Sequence, residues 1–582
     1  MSWDPLERTV ATTALVAALL VGSAASAEKP GQLQSTPLAA LYGAPITLSS
    51  AALSPDGSKV AGIRTHDDGP TELIVRNFAE SETSVILTRP AGGARLVECR
   101  WKSDARLLCS TKKPKEDSKR WLSLSPDGTR ETDLGVFQKI IHPLPDQPTR
   151  ILVRSNPPWY ASAGVVDVET GSFRALPGND KFGVLADGSG TIRVRYFLGQ
   201  QKTVEGSALL PQPTDTWIVL HKRQLHMDWF YPVGFDERTN EVLYRDLIGG
   251  YLALFAWDGH GEKRVVLAEP FAHVLGVEMI GKSPRAASAF VLDGQSRREP
   301  IDPRVTTVRD TVQQMYPRAD VDVLEEDWNQ RYYLVFVGDR QGAGTYFRFD
   351  SNAGRLDEFG STFENLSNRI REPRTEVEFS TPDGRNARAR VTRPPGAVGP
   401  LPAVVVPAGS SNWADNVVPF LVASGFVIVE LPVEPLNYGQ TIGSNWHAIA
   451  AEISASLRKL ADAGTVDPDR VCIAGMELGG YVALMSATEM DLFRCVVGID
   501  ATIDPVVGDA MIVSLYHGAR LSVPVLLLGE TSDRRAVKLR GALMDHGAPA
   551  ELVEYASEPF AATPERIDLL ARLGAFLSAN LR

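Results

Sequence analysis

The chain changes rhythm near residue 370, and the two rhythms demand two different architectures. From about 50 to 365, strand-like runs such as Val165-Val166-Asp167-Val168 and Tyr332–Val337 are separated by turns, with little helical periodicity. Ser54-Pro55-Asp56-Gly57 and Ser125-Pro126-Asp127-Gly128 are near-identical turns. Thr170-Gly171, Asp187-Gly188, Asp258-Gly259 and Asn352-Ala353-Gly354 punctuate the chain in the same way. Proline presets one turn angle and glycine accepts positive φ, so these turns have a physical cause. Strands repeated at roughly 40–50 residues per four-stranded unit predict a β-propeller of about seven blades, with a pair of β-sandwiches as the alternative.

From about 371 the pattern becomes alternating strand and helix. A leading hairpin is signalled by Thr381-Pro382-Asp383-Gly384. The runs Ala403–Val406, Phe426–Leu431, Val471–Ala474, Cys495–Ile499, Val525–Leu528 and Leu552–Tyr555 are near-continuously apolar. Parallel strands covered on both faces require that character. Between them, Ile449, Ile453, Leu457 and Leu460 form one helical face with Gly464 placed to stop it. A last helix should start at Thr563-Pro564 and pack Ile567, Leu570, Leu573 and Leu577. This half reads as an α/β fold with a mostly parallel sheet.

At 44% hydrophobic and 23% charged, the 582-residue chain is neither disordered nor a multispanning membrane protein. Its net charge of −11 argues against sequence-independent nucleic-acid binding, which needs clustered Lys and Arg. The first 27 residues read as a secretory signal: Arg8 precedes an apolar run from Val10 to Val21, and Ala25-Ser26-Ala27 supplies small residues for cleavage. An uncleaved anchor is the alternative, but the run is shorter than the ~20 residues a span needs, and no second stretch of that length follows. The expected organisation is a signal at 1–27, an N-terminal strap at 28–50, a propeller at 51–370 and the α/β domain at 371–582, in a periplasmic or secreted protein. The four cysteines suit an oxidising compartment: Cys99 and Cys109 flank a hairpin turning near Ser103-Asp104, while Cys472 and Cys495 lie on two later strands. Two local disulfides and four buried thiols both fit that spacing.

One strand runs directly into Gly475-Met476-Glu477-Leu478-Gly479-Gly480 and an apolar helix, Tyr481–Ala487. That is the setting of a nucleophile elbow, in which flanking glycines permit a strained turn and lift the central side chain above the sheet edge. Here the central residue is Glu477, not serine.

Asp469-Arg470-Val471-Cys472-Ile473-Ala474-Gly475, then Gly479-Gly480-Tyr481 with Ala483-Leu484-Met485, and Phe493-Arg494-Cys495 resemble the elbow region of the prolyl oligopeptidase family, especially its dipeptidyl-peptidase and acylaminoacyl-peptidase-like branch. The resemblance implies a propeller followed by an α/β-hydrolase domain, and a serine peptidase acting on peptides that enter beside the propeller. It places the nucleophile at Glu477, the acid at Asp533 in Gly529-Glu530-Thr531-Ser532-Asp533, and the histidine at Phe560 in Tyr555-Ala556-Ser557-Glu558-Pro559-Phe560. The oxyanion region falls on Ala408, Gly409 and Leu478. A phenyl ring cannot shuttle a proton, and an ionised carboxylate attacks an amide poorly. The expectation is therefore a degenerate hydrolase that binds a peptide or protein in its cleft, with no cofactor and no metal. The rival is a working hydrolase that uses Glu477 or a displaced serine such as Ser410 or Ser411. His447, His517 and His546 read as structural histidines. Glu477 and Asp533 would share one mouth, with Arg534 or Arg535 as a neutralising partner.

Overall fold

The computed structural model describes residues 37–581 except 67–68, 114–115, 117, 156–162, 177–181, 198–208, 212–216, 220–229, 271, 293–295, 339–342, 364–373, 383, 385, 409–413, 433–445, 502–520, 532–533, 546 and 557–562. Among the described residues from Leu48 to Ser361, the chain winds through six antiparallel sheets in sequence order. The second sheet has seven strands because Glu131–His142, twelve residues long, ends one four-stranded meander and begins the next. The chain thus follows the propeller plan. The two Ser-Pro-Asp-Gly turns have the same construction: Gly57 N–H donates to Ser54 O at 2.8 Å, and Gly128 N–H to Ser125 O at 3.0 Å. Both glycines have positive φ, +71° and +73°.

The turn after each sheet's first strand clasps that of its neighbour. Asp56 N–H donates to Asp104 Oδ1 (2.9 Å), Lys102 Nζ to Leu144 O (2.7 Å) and Gln147 Nε2 to Ser189 O (2.8 Å). Arg193 reaches Asn240 Oδ1 (2.5 Å), Glu237 N–H reaches Pro284 O (2.9 Å), and Arg285 pairs with Glu326. Trp328 N–H then donates to Pro55 O at 2.8 Å, which returns to the first turn. Successive sheets are therefore joined in a circle, and Leu48, Leu53, Val60, Ile74, Leu334 and Phe359 bury the seam between first and last.

One helix departs from the sequence expectation of strands alone. Pro303–Met315 is helical, with Asp302 as its cap accepting from Arg304 N–H and Val305 N–H, and Val305, Val308 and Val312 buried. The signals were present as cap, first-turn proline and i, i+3, i+7 valines. Only four apolar side chains besides the proline over thirteen residues, three of them buried, hid them among strand-like runs. The strap region also contains structure: a short helix, Pro37–Tyr42, and the start of the first strand at Leu48.

Residues 375–555 build an eight-stranded sheet in the order 375–380, 386–392, 427–432, 401–408, 466–476, 495–499, 525–530, 550–555. The first two strands form the expected hairpin, and the other six run parallel to one another. Helices cover both faces, producing two apolar layers, one around Val405, Ile473 and Leu484 and the other around Val404, Val497 and Leu570. The helices Trp446–Asp462 and Thr563–Leu581 lie where periodicity and caps put them. Disulfides join Cys99 to Cys109 and Cys472 to Cys495, each between residues directly paired across neighbouring strands.

The two halves meet through the short helix Pro37–Tyr42. The Tyr42 ring packs edge-on to Phe420 (6.3 Å), and Arg566 Nε donates to Gly43 O (2.8 Å). Thr47 N–H donates to Thr362 O (2.8 Å) where the chain enters and leaves the propeller. The first-strand starts and second-strand ends of the blades therefore face the α/β domain, and the clasped turns face away from it. Among the described residues, no helix is long and apolar enough to cross a membrane.

Candidate functional site

The strand Val466–Met476 ends at the carboxyl edge of the sheet and turns at Glu477 into the helix Leu478–Glu489. The turn is tight because backbone meets backbone. A side chain at Gly475 would collide with the Gly479 carbonyl, and one at Gly479 with Pro407 O. Glyces at both positions are thus required by contact, as the sequence pattern implied. Glu477 itself adopts φ +49°, ψ −118°, a region that side-chain-bearing residues avoid at a cost of about 1–3 kcal/mol. Its N–H donates to Ile499 O (2.8 Å) and its carbonyl accepts from Tyr481 N–H (3.0 Å), which locks the turn from both sides. The Glu477 side chain is exposed and makes no cap to its own helix. Leu478 is half-buried beside it.

The adjacent strand brings a carboxylate that sequence reasoning missed. Met476 pairs with Ile499, so Glu477 and Asp500 leave neighbouring strands at the same level of the sheet edge. Asp500 also has positive φ, +44°, and its N–H donates to Leu528 O (2.8 Å). A small cavity lies beside it, lined by Gly498, Asp500, Ala501, Leu528, Gly529 and Ala536. Glu530 ends the next strand. Three successive parallel strands thus end in acidic residues, Glu477, Asp500 and Glu530. The signal for Asp500 was its place directly after the apolar run Cys495–Ile499; the family pattern drew attention to 533 instead.

Of the other residues singled out in the sequence, Ala408 ends the strand Leu401–Ala408, next to the strand that carries the elbow. Gly409, Ser410, Ser411, His517, Asp533, His546 and Phe560 lie outside the described residues, as do the side chains of His447, Arg534 and Arg535. Among the described residues, no three His, Cys, Asp or Glu side chains gather in a way that could hold a metal ion. Beneath the elbow, Tyr481 is buried, and burial alone raises its phenol pKa. Its hydroxyl has no partner among the described residues. That ring belongs to the apolar layer that also holds Ile473 and Leu484.

The geometry is that of an α/β-hydrolase nucleophile elbow occupied by a carboxylate. The model of the prolyl oligopeptidase family matches residues 440–511, which include the whole elbow. No curated protein matches the chain. Among solved structures, a prolyl endopeptidase aligns at 14% identity over 94% of this chain and 91% of its own, with TM-score 0.63. A puromycin-hydrolysing peptidase of Mycobacterium tuberculosis aligns at 16% identity over 95% and 98%, with TM-score 0.63. Prolyl oligopeptidase B of Galerina marginata aligns at 12% identity over 94% and 90%, with TM-score 0.61. At such identities these likenesses speak for the fold. In sequence across 440–511, and in its propeller-plus-α/β-hydrolase fold along nearly its full length, the chain resembles the prolyl oligopeptidase family.

Proposed function

We propose that this chain is an exported, non-catalytic homologue of the prolyl oligopeptidases, with seven propeller blades, whose cleft between propeller and hydrolase domain binds a peptide or protein without cutting it. The observation that carries this reading is the identity of residue 477. The elbow keeps its strained geometry and its glycines, yet the side chain presented there is a carboxylate. Acyl transfer needs a nucleophile deprotonated in the transition state by a positioned base, and the sequence places Phe560 where the family has its histidine. Retention of the elbow without this pair suits a scaffold kept for shape. Seven blades follow if the long strand Glu131–His142 is shared by two blades of the seven-stranded sheet.

Labelling of the purified mature protein with a fluorophosphonate probe tests the loss of activity. No labelling above a heat-denatured control is expected; stoichiometric labelling that disappears when one serine is replaced would overturn the reading. Glu477→Ser combined with Phe560→His asks whether the old geometry survives, and labelling of that variant alone is the expected result. Cell fractionation with N-terminal sequencing tests export, with a mature end after Ala27 expected.

A further inference from the structure

The hydrolase-facing end of the propeller carries a group of cations that the elbow chemistry does not use. Arg154 and Tyr196 are the penultimate residues of the strands Arg150–Ser155 and Ile192–Phe197, and Tyr231 is the first residue of Tyr231–Asp236. Second strands end and first strands begin on that face, so three consecutive blades bring these residues to one place. Arg154 is 8% exposed and donates to the Tyr196 hydroxyl at 3.2 Å. The Tyr196 and Tyr231 rings meet edge to face at 5.1 Å, and Arg245, paired with Tyr231 across the sheet, lies 5.0 Å from the Tyr231 ring centre. Arg245 also donates to Leu275 O (3.2 Å), and its Nε is buried without a partner among the described residues.

Two guanidiniums therefore flank one phenol pair, and among the described residues no carboxylate pairs with either. The phenols do not supply the missing charge: burial, and then the neighbouring Tyr196, push the Tyr231 hydroxyl well above its usual pKa, so it stays neutral. Elsewhere in the propeller, buried guanidiniums do have carboxylates, as Arg285 has Glu326 and Asp302, and Arg348 has Asp357. Buried cations are ordinarily paired, and the partners these two have among the described residues are a hydroxyl, a carbonyl and an aromatic ring, a setting that suits an anionic ligand. A guanidinium presents parallel donors that match a carboxylate, and aromatic rings beside it fit the apolar body of a peptide.

We propose that Arg154 and Arg245, with Tyr196 and Tyr231, form a subsite for a carboxylate of the ligand bound between the domains, either a free peptide C-terminus or an acidic side chain. This rests on the peptide-binding reading given above, and its test separates the two. The probes are fluorescein-labelled alanine pentapeptides with a free C-terminal acid, with a C-terminal amide, and as the amide with one internal glutamate. Anisotropy is read with the wild type, Arg154→Met, Arg245→Gln and the double variant, each checked for unchanged melting.

The expected result is at least tenfold tighter binding of the free acid than of the amide by the wild type, with acid and amide bound equally by the double variant. The same preference for the glutamate peptide would assign the carboxylate to a side chain. Equal binding of all three peptides would overturn the subsite and leave peptide binding standing. If no peptide binds, the peptide-binding reading fails, and the subsite is then decided by thermal stabilisation with N-acetylalanine against N-acetylalanine amide. Stabilisation by the acid alone, lost in the double variant, would uphold it; equal effects would overturn it.

Discussion

In the propeller the seams between sheets have apolar middles and carry buried charge near their turns. Arg285, almost wholly buried, binds both Asp302 (3.0 Å) and Glu326 and so joins the helix cap at 302 to the next blade. In the α/β domain the pairing of strands 401–408, 466–476 and 495–499 is apolar, with Val404, Val405, Ile473, Val496 and Val497 at 0% exposed, and buried charge appears beside the hairpin, where Glu430 lies 3.4 Å from Arg374. The reason lies in topology. A parallel sheet covered on both faces is apolar along its central strands, whereas radiating antiparallel blades pack face to face and leave turns at their ends where polar groups can pair. The propeller therefore depends on matched partners, and the α/β domain on packed volume.

The sharpest break of this contrast is Arg285→Ala. It leaves Glu326 buried without its cation, while Asp302 keeps Arg238 at 2.9 Å, and removing one partner of a buried ion pair costs about 3–5 kcal/mol. Tryptophan fluorescence should register the loss, because Trp101, Trp121, Trp217, Trp257 and Trp328 all lie in the propeller. Next comes Leu484→Ala in the elbow helix, fully buried, at about 2–5 kcal/mol for the cavity left. Far-UV circular dichroism should show it in the helical transition, with the propeller fluorescence transition little moved. If both variants shift both signals equally, the two halves unfold as one unit and the contrast describes chemistry without separate stability.

Acid sensitivity sharpens the same point. His142 in the propeller is buried, accepts from Leu144 N–H at Nδ1 (3.0 Å), and has Glu237 Oε1 3.9 Å from Nε2. Burial holds its pKa down to about 4, against the opposing pull of Asp187 and with help from Lys102. Burial likewise lowers Lys102 to about 8, while Asp146 opposes, and it raises the Glu237 carboxyl. Between pH 6.5 and 4 the unfolded chain therefore binds a proton that the folded His142 refuses. Stability is fully present above pH 6.5 and falls as pH drops to 4, by up to about 3 kcal/mol. Glu325, whose carboxyl burial raises to about 7, has the opposite slope between 4.5 and 7. The difference between wild type and His142→Gln isolates the histidine: the variant should lose less stability from pH 7 to pH 4, measured by urea unfolding. A parallel pair of curves would remove His142 as the cause.

The same physics decides what could be read from sequence. The strands Cys495–Ile499 and Val525–Glu530 were visible because burial on both faces leaves continuous apolar runs. The elbow was visible because Gly475 and Gly479 answer a steric demand only glycine meets. Arg285 and Glu326 were not legible as partners, being 41 residues apart, and a charge in an antiparallel strand looks the same whether solvated or paired. Asp500 escaped for a similar reason: nothing in its neighbours states that strand order sets it beside Glu477. The cluster of Arg154, Tyr196, Tyr231 and Arg245 exists only once three blades stand side by side.

The smallest expected effect belongs to residue 477. Glycine there should relieve backbone strain of about 1–3 kcal/mol, offset by about 0.5–1 kcal/mol of added freedom in the unfolded chain. Because the Glu477 side chain is exposed and makes no cap bond, little packing is lost with it. Glu477→Gly should therefore raise stability by about 1 kcal/mol, seen as a small rise in the melting temperature of the α/β domain. In the propeller, Asn240 and Gln330 hold positive φ within hairpin turns; because Asn240 also accepts from Arg193, Gln330→Gly is the comparison that reads backbone strain. A gain at 477 larger than at 330 would mean the elbow stores strain that stability alone would have removed, as expected where a side chain is held out for a ligand. Equal gains would reduce the elbow to one more tight turn.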